Sequence, residues 1–170
     1  MCYFLYLASP LTLSEVRSML PAGLTADLAP FPDQQTLKAF HPQAQTVARI
    51  LAGRCSCDLV RSRRENPRED ERHLRERYRT LGTSRPVVIA ALERHRQATP
   101  RRLDGDLPRL LAAFVGEHAR NAGPSLYYLH FSAQPEPLRV VGDPRQLTTP
   151  AVTAAPAEWL PEGAPTLVTR

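Results

Sequence analysis

Three cysteines, Cys2, Cys55 and Cys57, are the residues of this 170-residue chain whose type and spacing best suit chemistry. Cys55 and Cys57 stand two positions apart. On a strand, that spacing puts both side chains on one face, where two thiolates can share a soft metal such as zinc or copper(I). A closed tetrahedral zinc site takes four ligands, so Cys2, His41 and His130 are the candidate further donors. Without a metal, the pair is a candidate thiol site. A reversible Cys55–Cys57 disulfide is strained in an extended segment, because the two residues would lie roughly 6.5 Å apart. The bland alternative is packing, since free cysteine behaves as a small core hydrophobe. Cys2 adds another chemistry: removal of Met1 would leave an amine and a thiol on one residue, able to act as base and nucleophile.

Two resemblances bear on these residues. Met1-Cys2 resembles the start of glutamine amidotransferases, but the glycine-rich continuation of that family does not follow. More broadly, the chain start, the apolar strand after it, the Gly53-Arg54-Cys55-Ser56-Cys57 segment and the acidic-basic helix beyond it are similar to a family of small bacterial proteins. That resemblance covers about the first 80 residues. It implies that Cys2, Cys55 and Cys57 be read together, and it implies no reaction.

A second candidate is electrostatic. Residues 61–102 hold thirteen arginines against six acids, although the whole chain carries only +5. Arg68, Arg72, Arg75 and Arg79 fall within about 60° of one another at about 100° per residue, so they line one face of a helix. Such a stripe suits the phosphates of a nucleic acid or an acidic protein partner. The alternative is a solvated helix laced with i,i+4 pairs such as Glu71–Arg75. A third reading is a structural or accessory protein without a site.

The chain has no Walker A loop, dinucleotide fingerprint, nucleophile elbow or zincin motif. Asp104-Gly105-Asp106 lacks the ligand series of a calcium loop and serves as a turn and cap. His95 and His118 lie on apolar helix faces, where a satisfied core histidine is the default. No stretch approaches the roughly 18 apolar residues of a membrane span, and the first residues lack a basic leader. A cytoplasmic protein with reduced thiols is the expectation.

The elements that must position these residues read as a single α+β domain over 1–170. A mixed sheet carries about four helices, mainly on one face, with a Pro/Ala/Thr-rich segment from about 142. Cys2–Ala8 is apolar on both alternating faces, as a central strand requires. Thr12 and Glu15 form a capping box for a short helix stopped by Pro21. The prolines between 21 and 46 predict loops with one or two short strands, and Thr46–Leu51 predicts a strand. Helices follow: one opened by Asn66 and Pro67 and running to Leu81 before Gly82, one from Ser84 to Arg96, and one starting at Asp106. Ser125–Phe131 and Leu138–Val141 read as strands of a hairpin through Ala133–Pro137. Trp159 reads as an anchor, and Thr166–Thr169 as an edge strand.

Overall fold

Cys2–Ser9 (β1) forms the middle of a six-stranded sheet, as its two apolar faces require. The computed structural model describes residues 2–60, 67–80, 82–97, 107–132, 138, 140, 142–156 and 158–170. Along the chain, β1 is followed by α1 (Leu13–Met19), β2 (Thr25–Leu28), α2 (Phe31–Phe40), β3 (Thr46–Leu51) and α3 (Cys57–Val60). Then come α4 (Pro67–Thr80), α5 (Arg85–Gln97), α6 (Leu107–Ala122), β4 (Ser125–Ser132), β5 (Arg145–Thr148), α7 (Thr149–Ala154) and β6 (Thr166–Thr169). The sheet order is β2-β3-β1-β4-β6-β5, antiparallel throughout except for the parallel β5–β6 pair. This is the expected mixed sheet of an α+β fold.

The two sheet faces are covered differently. On one, Tyr6, Ala8, Val47, Leu126 and Tyr128 pack against Leu37 of α2 and against Leu138. On the other, Leu5, Leu7, Ala48, Ile50 and Tyr127 are buried beneath α1, α3, α6 and α7. Val16, Leu59, Leu111, Phe114 and Val152 are among the buried apolar residues that those helices supply. Trp159 is buried edge-on against Tyr127, at 5.3 Å between centroids, and anchors the C-terminal segment as expected.

Local signals decided several elements. Thr12 caps α1 with the full capping box: Thr12 Oγ1 accepts from Glu15 N–H, and the Glu15 carboxylate accepts from Thr12 N–H at 2.8 Å. The Thr12 hydroxyl, which donates to the same carboxylate at 2.7 Å, and then the Thr12 N–H hold the Glu15 carboxyl below its ordinary pKa. The segment 21–46 differs from expectation, because Phe31–Phe40 is a helix. Pro30 is its N-cap and Pro32 lies in its first turn, where a missing N–H costs nothing and the fixed φ favours helix entry. The prolines start this element instead of breaking it.

Leu138 and Val140 are not in a strand, and the expected turn Ala133–Pro137 lies outside the described residues. β4 is already paired with β1 on one edge and β6 on the other, so β6 is an interior strand and β5 takes the edge. Leu138 N–H instead donates to Asp33 Oδ1 at 3.1 Å.

Residues 62–104 form a second compact unit, distinct from 1–61 with 105–170. It contains α4 and α5, with Tyr78 and Leu92 buried. Gly82, at φ +63°, ends α4. Thr83 N–H reaches Tyr78 O and Gly82 N–H reaches Arg79 O, both at 3.0 Å, the Schellman pattern that a left-handed glycine permits. Asn66, Leu81, Asp104, Gly105 and Asp106, invoked above as caps or boundaries, lie outside the described residues, as does the side chain of His95.

Candidate functional site

The cysteine segment is built on the end of the β1–β3 ladder. Gly53, at φ +79°, lets the chain turn back, and Ala52 N–H bonds Cys55 O at 2.9 Å. The turn delivers Ser56 to the edge of β1. Ser56 N–H donates to Tyr3 O at 2.8 Å. The Ser56 hydroxyl accepts from Leu5 N–H at 2.8 Å and donates to Ile50 O at 2.5 Å. Since Leu5 and Ile50 are register partners, this fully buried hydroxyl forms the rung between the two strands.

Cys57 takes the next position. Its Sγ accepts the Tyr3 N–H at 3.3 Å. Cys55 and Cys57 are both half-buried free thiols. The segment is not a strand: Cys55 makes an isolated bridge and Cys57 opens the single turn of α3. The strand alternation that would put both thiols on one face therefore does not apply. Cys2 opens β1, and its peptide supplies the amide that Cys57 accepts. The side chain of Cys2 lies outside the described residues.

The histidines proposed as further ligands are placed elsewhere. His41 caps α2 and meets the Pro124 backbone, next to the Ser9 end of β1. The length of β1 from Tyr3 to Ser9, about 20 Å at about 3.3 Å per residue, separates it from Cys57. Burial lowers the His41 pKa, and its Nε2 is buried without a partner. His130 pairs with Phe4 on the far side of β1 from Cys57, and its ring stacks on Tyr128 with centroids 6.2 Å apart. Among the described residues, no three His, Cys, Asp or Glu side chains gather to hold a metal ion.

On α4, Arg72, Arg75 and Arg79 are exposed while Tyr78 is buried. The side chain of Arg68 lies outside the described residues. Arg75 pairs with Glu71 at 3.6 Å, the i,i+4 contact of a solvated helix.

Two polar clusters escaped the reading of the sequence. In the first, Ser9 Oγ lies 2.9 Å from His118 Nε2, and the Tyr127 hydroxyl lies 3.4 Å from His118 Nδ1. The Ser–His spacing is that of a nucleophile and its base, but Ser9, His118 and Tyr127 are all fully buried, so the cluster serves the core. Burial lowers the His118 pKa to about 4 and keeps the ring neutral. In the second, Tyr6 donates to Asp33 Oδ2 at 3.0 Å beside Arg49, the single charge of the apolar strand β3. That lone charge is the signal the sequence offered. Compared with family models, curated proteins and solved structures, the chain shows no match, and its site is read from its own geometry.

Proposed function

We propose that the Cys55–Cys57 turn docked on the start of β1 is a thiol site, with Cys57 as its reactive group and Cys55 as the neighbouring thiol. The observation that carries this reading is the Tyr3 N–H donated to Cys57 Sγ. A donor aimed at sulfur favours thiolate over thiol, and the thiolate is both the nucleophile and the metal-binding form. Half-burial leaves the sulfur within reach of a small reagent. The chemistry this supports is attack on a disulfide or soft electrophile, or ligation of a soft metal such as zinc. Either role belongs to a reducing compartment such as the cytoplasm.

Alkylation by iodoacetamide, read by mass spectrometry at about pH 6.5, tests it. Ordinary thiols, with a pKa of about 8.5, are nearly all protonated there. Cys57 is expected to label about tenfold faster than Cys55. Equal labelling, together with metal-free protein whose stability is unchanged by Cys57→Ser, would sink the proposal.

The exposure of Arg72, Arg75 and Arg79 favours a second reading, a binding module that presents α4 to a polyanion or an acidic protein. No helix among the described residues is long and apolar enough to cross a membrane.

A further inference from the structure

Arg49 stands in an interior strand of the sheet. It pairs with Tyr6 of β1 on one side and with Asp27 of β2 on the other. Its side chain shares the face that α2 covers, with Tyr6 opposite it. A guanidinium held there gives up part of its hydration, a cost normally offset by a carboxylate. Here no such partner is present among the described residues. The Nε of Arg49 is buried and has no hydrogen-bond partner. Its guanidinium carbon sits 5.4 Å from the centroid of the Phe4 ring, a cation–π contact on one face.

Asp33 and Asp27 bond to other groups. Asp33 spends Oδ2 on the Tyr6 hydroxyl and Oδ1 on Leu138 N–H. Asp27, although opposite Arg49 in register, pairs with Arg17 at 3.7 Å. The Tyr6 hydroxyl is held protonated: burial first, and then the Asp33 charge, raise its pKa above the ordinary tyrosine range. It therefore adds no negative charge to balance Arg49.

We propose that Arg49 anchors a binding site, on the α2 face of the sheet, for a small carboxylate carried on a planar apolar body. The planar guanidinium takes both oxygens of a carboxylate in one plane. One positive charge balances one negative charge. The second charge of a phosphate dianion would stay uncompensated in a half-buried setting. Phe4, against the cation, and its register partner His130 are both half-buried and offer ring surface to the ligand's apolar body.

The test uses the full chain and the Nε–H resonance of Arg49, assigned through bonds in the wild-type protein. Titration with benzoate is expected to shift that resonance saturably, and the neutral isostere benzamide is expected to leave it unmoved. Arg49→Lys keeps the charge but loses the planar fork, and should weaken benzoate binding about tenfold or more. Three results would overturn the proposal: no shift with benzoate, an equal shift with benzamide, or tighter binding of inorganic phosphate than of benzoate. The resonance reads the site without any substitution, so a poorly folded variant does not remove the test.

Discussion

His118 links the burial of one residue to the pH dependence of the protein. Its ring is fully buried between Ser9 and Tyr127, with Phe114 at 5.5 Å between centroids. The ring stays neutral in the folded state down to about pH 4, whereas the unfolded chain takes up the proton near 6.5. Between those values the unfolded state binds more protons, so stability rises with pH. The contribution is fully present above about pH 6.5 and is lost as the pH falls toward 4. The full shift corresponds to about 3 kcal/mol at about 1.4 kcal/mol per unit. His41, also lowered by burial, adds slope in the same direction. Urea unfolding of the wild type and of His118→Asn across this window measures the effect, and the slope is the readout because the substitution itself disturbs the core. A variant as steep as the wild type would show that His118 is not the titrating group.

Among the elements, the β1–β3 ladder depends on Ser56 for its last rung. Replacing Ser56 by Ala removes the hydroxyl that Leu5 N–H donates to and that bonds Ile50 O. Two buried backbone groups lose a partner, at a cost of about 1–3 kcal/mol. Chemical denaturation of Ser56→Ala checks this, and a change under about 0.5 kcal/mol would mean that the two groups pair by another route. The same rung shows what the residue pattern could and could not disclose. β1, β4, the capped α1 and the apolar stripe of α6 were legible because each depends on neighbours in sequence. The two-residue cysteine spacing was legible too, but its geometry was not. The left-handed turn at Gly53 and the docking of Ser56 on Tyr3 replace the strand that the spacing presupposed. The α2 helix was hidden because a proline in a first turn looks, in sequence, like a proline that breaks one. β6 was misplaced as an edge strand because its pairing with β5 joins segments about twenty residues apart, beyond the reach of local periodicity. Arg49 was visible as one charge in Thr46–Leu51, yet its meaning depends on where Asp33 and Asp27 turn, which only the packing decides.

At the scale of the whole molecule, charge follows the division into two units. Residues 62–104 contain twelve of the 22 basic residues and seven of the 17 acidic ones. That unit therefore carries +5, the net charge of the entire chain, while the sheet unit sums to zero. An arginine-rich composition spread evenly would not produce this, and a surface meant for a polyanion would. The solvated-helix reading predicts pairs like Glu71–Arg75, and that pair is formed, so pairing alone does not decide between them. Salt dependence does. Reversal of Arg72 and Arg75 to glutamate lowers the charge of the helical unit from +5 to about +1, and both side chains are exposed, so the sheet should keep its thermal stability. If α4 presents its arginines to a polyanion, the wild type is held by a heparin matrix at low salt, and the double variant elutes at much lower salt. Elution at an unchanged salt concentration, with the fold intact by circular dichroism, would assign the arginines of α4 to solvation.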